Sequence, residues 1–169
     1  MRLINAIQFA SKKHIGQERR GSGLPYVTHP IIVSHLIAKY KPHSKHLEDL
    51  QIAGLFHDLL EDTNTTYAEI EREFGPLVAS IVQELTSDEI AIEEMGKNNY
   101  LKLKMVKMSK YAFLIKLIDR FSNITDGPTK KYVIDTLDMM QYLRVNREEI
   151  TKNQLRIIED IEKECHKIS

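Results

Sequence analysis

The chain has 169 residues, 42 % of them apolar, and 24 Lys and Arg are balanced by 24 Asp and Glu. That length fits one domain with a sizeable core, and the zero net charge argues against coating DNA or RNA by phosphate neutralisation, although a few local cations suffice for a small anionic ligand. Cys165 is the only cysteine, which excludes an intrachain disulfide and a thiolate zinc site; with no signal-like N-terminus and no run of about 18 apolar residues, a cytoplasmic protein without a membrane span is expected.

Helical periodicity organises the chain. Leu3, Ile4, Ile7 and either Phe9 or Ala10 share one face of a helix over 3–13. Gly16, Gly21, Gly23 and Pro25 make 15–28 a loop, and Pro30 suits the start of a helix reaching 40. A helix over about 47–60 turns almost wholly apolar in its second half. Thr66 to Glu69 is a capping box opening the next helix, Gly75 stops it, and Pro76 opens another to about Thr86. The polar stretch 87–98, which contains Gly96, reads as a loop. Helices follow over about 99–108 and 110–124. Gly127-Pro128 breaks the chain before a long helix to about 147. Thr151 to Gln154 is a second capping box, opening a terminal helix to about 166. No alternating strand pattern, repeat or linker is present, so the expectation is a single all-α domain over 1–169.

Three segments break local rules. In Ala53-Gly-Leu-Phe-His57-Asp58-Leu-Leu-Glu61-Asp62-Thr63, four ionisable residues interrupt an apolar helix. His57 and Glu61 are four apart, as are Asp58 and Asp62, so each pair shares a face. Unpaired ionisable groups are costly among Leu and Phe, and carboxylates near a helix C-terminus cost about 0.3–1 kcal/mol each. A divalent cation relieves both. The plain alternative is a surface His-Asp pair, with Asp62 or Thr63 capping the following turn.

The second segment, Phe113-Leu-Ile-Lys116-Leu-Ile-Asp119-Arg120-Phe-Ser-Asn123-Ile124, is apolar almost all round, which predicts a buried helix. Asp119 and Asn123 point the same way. The alternative is an Asp119–Lys116 ion pair on a half-exposed face. The third segment is the Gly-rich run from Gly16 to Pro30. Its glycines allow close backbone approach to an anion, Arg20 offers a fork of donors for phosphate, and Ser22 adds a hydroxyl. His29 sits where this loop meets a helix. The alternative is an ordinary polar loop. Two imidazoles and two carboxylates, from His29, His57, Asp58 and Asp119, suit Mn²⁺, Fe²⁺ or Zn²⁺ better than Ca²⁺.

The remaining polar residues have plainer readings. His14, His35, His43, His46 and His166 are expected to be solvated or locally satisfied, with a phosphate contact as the alternative for His14. Met105, Met108, Met139 and Met140 read as core or interface, and Glu159 to Lys167 as a solvated face.

Four stretches taken together carry a resemblance. They are R-G-S-G-L-P-Y-V-T-H-P at 20–30, A-G-L-F-H-D-L-L-E-D-T at 53–63, E-L-T-S-D at 84–88 and I-K-L-I-D-R-F-S-N-I at 115–124. Over roughly residues 3–145 the chain resembles the HD-superfamily hydrolase domain of the Rel/SpoT alarmone enzymes and their stand-alone relatives, the small alarmone hydrolases. The resemblance implies a compact all-α HD bundle with one Mn²⁺ in its core, held by His29, His57, Asp58 and Asp119. It implies that Glu61 and Asp62 handle a metal-activated water and its proton; which of them is the base stays open. It implies that Arg20, Ser22 and Asn123 hold the guanosine nucleotide. The implied reaction removes pyrophosphate from the 3′ position of (p)ppGpp, giving GDP or GTP.

Some positions depart from the family. Leu24 stands where an acidic residue is usual, and Gly21 where Lys is frequent. Residues 89–112 match poorly, although Lys97, Lys102, Lys104, Lys107 and Lys110 keep them basic. Asp126 is typical of the stand-alone members. Nothing after 145 has room for a synthetase or regulatory domain, so the expectation is an enzyme that degrades the alarmone without making it. Another phosphohydrolase reading, NADPH 2′-phosphate removal or nucleotidase activity, would differ in the contacts at Gly21 and Leu24. A third reading is a non-catalytic alarmone-binding module, against which stands the presence of all the implied metal and acid–base residues. No nucleic-acid or membrane partner is expected, and a homo-oligomer through the helices at 128–147 and 152–166 is left open.

Overall fold

The structure is a computed structural model and describes residues 1–168. Among these residues all regular structure is helical, and the only β-type pairing is an isolated bridge between Glu18 and Pro25. The chain divides into two compact units, Met1–Thr86 and Ser87–Ser169.

The first unit contains α1 (Arg2–Lys13), α2 (Thr28–Tyr40), α3 (Leu47–Phe56), α4 (Leu59–Asp62), α5 (Tyr67–Phe74) and α6 (Pro76–Leu85). Helix α3 is its axis, with α1, α2 and α6 packed against it. Leu50, Ile52, Ala53, Leu55 and Phe56 on α3 are all buried. Gly54 faces α2: a Cβ there would fall too close to Ile37 Cδ1, so the Ile37 side chain would have to move aside. Phe9, Phe56 and Phe74 stack edge to face or tilted, with centroids 4.7–5.4 Å apart, and join α1, α3 and α5. Thr66 Oγ1 accepts from Glu69 N at 3.2 Å to open α5. The Glu69 carboxylate turns to Lys13 at 3.0 Å instead of closing the capping box.

One expected element is corrected here. The single helix over 47–60 is broken at His57-Asp58, where Asp58 adopts φ −107° and ψ 0° and the chain restarts as α4.

The second unit contains α7 (Glu89–Met95), α8 (Lys97–Lys107), α9 (Lys110–Ile124), α10 (Lys130–Asn146) and α11 (Lys152–Ile168). Helix α9 is buried nearly all round, as its composition requires, and α10 and α11 pack on it. Arg120 is buried on it, donating to Thr136 Oγ1 at 2.7 Å and lying over the Tyr132 ring. The capping box of α11 is reciprocal: Thr151 N donates to Gln154 Oε1 at 2.8 Å and Gln154 N to Thr151 Oγ1 at 3.4 Å. The expected loop at 87–98 is mostly helix α7, capped by Asp88, which accepts from the amides of Ile90 and Ala91. None of its residues is buried, so it has no apolar stripe to read. No helix among the described residues is long and apolar enough to cross a membrane.

Candidate metal and acid–base site

The break between α3 and α4 builds the centre of the first unit. His57 caps α3 and is buried, and its Nδ1 lies 2.8 Å from the carbonyl of Gly54. A carbonyl only accepts, so Nδ1 carries the hydrogen and Nε2 presents a lone pair. That Nε2 lies 2.8 Å from Asp58 Oδ2. A bare imidazole nitrogen and a carboxylate oxygen are both acceptors, so this contact is favourable only with a cation between them, a proton or a metal ion. The Tyr26 hydroxyl donates to the same Oδ2 at 2.5 Å.

His29 joins them from the first turn of α2. It is buried, its ring centroid is 5.2 Å from that of His57 at 72°, and the two offer nitrogens within 4.8 Å of each other. Pro30 follows it in the first helical turn, where no amide hydrogen is needed. Two imidazole nitrogens within 4.8 Å of each other, one of them 2.8 Å from a carboxylate oxygen, are donors of the kind a divalent transition ion takes.

Glu61 and Asp62 lie on α4 at the solvent boundary. Partial burial, followed by the charges of Asp58 and Glu61, holds the Asp62 carboxyl above the ordinary aspartate value; His14 and His57 oppose that rise. Gln17 Nε2 donates to the Asp62 carbonyl at 2.8 Å, and Gln17 Oε1 lies 2.7 Å from His14 Nδ1. His14 in turn packs on Tyr26, ring centroids 4.9 Å apart.

Arg20 and Ser22 occupy an exposed loop. It is pinned by Arg19 N to Leu24 O at 2.7 Å and Tyr26 N to Gln17 O at 2.8 Å, and Ser22 Oγ accepts from Leu24 N at 3.4 Å. Gly21 at φ 87° and Gly23 at φ 66° take left-handed conformations that a side chain disfavours. Lysine at position 21 would therefore be strained in this loop.

In the second unit, Asp119 on α9 is 8 % exposed. Lys116 Nζ lies 3.1 Å from its Oδ2, and Asn123 Nδ2 donates to its Oδ1 at 2.7 Å. The ion pair of the alternative reading forms, but on a buried carboxylate and not on a half-exposed face.

The first unit thus gathers His29, His57 and Asp58 with Tyr26, and ties Asp62 to Gln17 and His14. The second gathers Asp119, Asn123 and Lys116. Tyr26 and Gln17 were absent from the expected set; His14 is buried and not solvated, and its Nδ1 is satisfied locally by Gln17, one of the two outcomes expected. Tyr26 carried one signal, its place within P-Y-V-T-H-P. Gln17 carried none, because its carbonyl partner Asp62 lies on a distant segment.

Known proteins similar to this chain come from three kinds of comparison. The HD domain family matches residues 6–126. A zebrafish (Danio rerio) protein named guanosine-3′,5′-bis(diphosphate) 3′-pyrophosphohydrolase is 34 % identical over 127 residues, covering 73 % of this chain and 68 % of that protein; the human protein of that name gives the same figures. A protein of Aquifex aeolicus, also named guanosine-3′,5′-bis(diphosphate) 3′-pyrophosphohydrolase, is 37 % identical over 124 residues, 72 % of this chain but 17 % of its own length. A solved structure described as "A metazoan ortholog of SpoT hydrolyzes ppGpp and plays a role in starvation responses" superposes with a TM-score of 0.78 at 28 % identity, over 96 % of this chain and 94 % of that one.

Proposed function

The chain belongs to the HD domain family, and from that premise we propose that it is a Mn²⁺-dependent (p)ppGpp 3′-pyrophosphohydrolase. The observation that carries the reading is His57 Nε2 set 2.8 Å from Asp58 Oδ2 beside His29, an arrangement of acceptors that asks for a cation. Curated relatives named for this reaction support the substrate.

In this proposal His29, His57, Asp58 and Asp119 hold one Mn²⁺. The bound ion supplies positive charge for the phosphoryl oxygens and lowers the pKa of water. Tyr26 fixes the orientation of the Asp58 carboxylate. Of Glu61 and Asp62, one takes a proton from the attacking water and the other returns one to the leaving 3′-oxygen. The water oxygen bonds to the phosphorus nearest the ribose, the bond from that phosphorus to the 3′-oxygen breaks, and pyrophosphate departs. Arg20 and Ser22 bind phosphate from their exposed loop, and Asn123 holds the nucleotide while also donating to Asp119.

Residues 1–169 form one HD-type domain in this reading, since the family match runs across the boundary after Thr86. A nucleotide substrate and a single, buried cysteine suit the cytoplasm.

The test incubates purified protein with ppGpp and Mn²⁺, with Asp58→Ala beside it, and separates products by anion exchange. GDP and pyrophosphate from the parent alone are expected. No product from a parent that binds Mn²⁺ overturns the proposal. The same assay on NADPH then decides between another phosphohydrolase and a binding module.

A further inference from the structure

His14 ends α1 and is 3 % exposed, yet the reaction as proposed does not use it. Its environment fixes its tautomer. Gln17 spends its amide nitrogen on the Asp62 carbonyl, so its amide oxygen faces His14. His14 Nδ1 therefore carries the hydrogen, and Nε2 is a bare acceptor. That Nε2 is buried, and no protein group among the described residues hydrogen-bonds it. A buried acceptor without a donor disfavours the fold, so a ring kept only for packing would be better replaced by an apolar one. The ring also packs on Tyr26, whose hydroxyl holds Asp58, and through Gln17 it is tied to the Asp62 carbonyl. His14 thus bears on both ends of the His57 to Asp62 segment.

We propose that His14 is a positioning residue of the hydrolase site, whose bare Nε2 accepts a hydrogen bond from a water shared with the Asp62 carboxyl. A water between these two acceptors would give each of them one of its hydrogens. The effect on the reaction passes through Asp62, whose carboxyl is held in one orientation. The proposal rests on the hydrolase reading above, and its test separates the two.

His14→Asn keeps a donor for Gln17 where Nδ1 stood and deletes Nε2. Its kcat on ppGpp is expected to fall about 10–100-fold, with KM and Mn²⁺ affinity held within about twofold. His14→Gln, which brings an amide oxygen to the place of Nε2, recovers part of that loss. A second arm needs no turnover: long-range ¹H–¹⁵N spectra of ¹⁵N-histidine protein loaded with diamagnetic Zn²⁺. The His14 ring is expected as the Nδ1–H tautomer, with an Nε2 resonance that moves in Asp62→Asn. A kcat for His14→Asn within about twofold of the parent overturns the proposal, and so does an Nε2–H tautomer or an Nε2 resonance blind to Asp62→Asn. If the parent itself does not turn over ppGpp, the hydrolase reading fails and the spectra alone decide the placement of His14.

Discussion

Asp58 Oδ2 takes part in two contacts at once, with His57 Nε2 at 2.8 Å and the Tyr26 hydroxyl at 2.5 Å. The hydroxyl adds no ligand of its own; it aims the carboxylate and raises the cost of turning it away. Partners of this kind are worth about 10–100-fold in metal affinity. Tyr26→Phe should therefore weaken Mn²⁺ binding by about that factor in a calorimetric titration. Unchanged affinity would show that the carboxylate is oriented without it. Asp62 supports a second prediction. A carboxyl raised in the fold binds its proton more tightly folded than unfolded. Its contribution to stability is fully present below the ordinary aspartate pKa, about 4, and is lost as pH rises through the higher folded value. Ionising Asp62 in the fold is thus a local cost, and Asp62→Asn removes it. With EDTA present, the thermal midpoint of Asp62→Asn should exceed that of the parent at pH 7, and the difference should close below about pH 4. With Mn²⁺, kcat should fall about 10²–10⁴-fold. A midpoint no higher than the parent's would contradict the burial argument. His57, Asp58 and Asp119 were legible because charge stands out in an apolar helix. Tyr26 to Asp58 spans 32 residues and Gln17 to Asp62 spans 45, and no local spacing rule reaches that far.

Helices were legible where stop and start signals coincide with periodicity. Gly127-Pro128 separates α9 from α10 and the Thr151 to Gln154 box opens α11; in the structure the hydroxyls of Ser109, Thr129 and Thr151 cap α9, α10 and α11. The break after Phe56 left no such mark, since neither Gly nor Pro stands at His57-Asp58. It is set by the side chains themselves, with His57 turned back onto Gly54 and Asp58 held by Tyr26. Helix α7 was missed for the opposite reason: its cap is strong, but no buried face gives it a period. Arg147 shows how a single residue just past a helix can hold an element. Its guanidinium donates to the carbonyls of Met105, Val106 and Met108, each at 2.8 Å, and lies 4.0 Å over the Phe113 ring. It thereby satisfies the carbonyls at the end of α8 and pins that end beside α9. Arg147→Ala should cost about 2–3 kcal/mol, read as a lower urea midpoint at unchanged m-value. Arg147→Lys should restore little, because an ammonium has no planar fork to span three carbonyls. Full recovery with lysine would reduce the role to charge alone.

At the scale of the whole molecule, the proposed ion is also a folding ligand. An ion that binds only the native state stabilises it by RT ln(1 + [L]/Kd), about 2.7 kcal/mol at a hundredfold excess over Kd. For a chain of this size each kcal/mol moves the thermal midpoint by roughly 2–4 °C. Removing Mn²⁺ with EDTA should then lower the midpoint by roughly 5–10 °C, and adding it back should restore the value. Asp58→Ala, deprived of one proposed ligand, should respond far less. The family match across residues 6–126 makes a further demand on the same scan. If residues 1–169 are one domain, the two compact units melt in one transition, and the ion shifts that transition as a whole. Two separated transitions, with only the one belonging to Met1–Thr86 moved by Mn²⁺, would instead confine the ion's ligands to His29, His57 and Asp58 and remove Asp119 from the set.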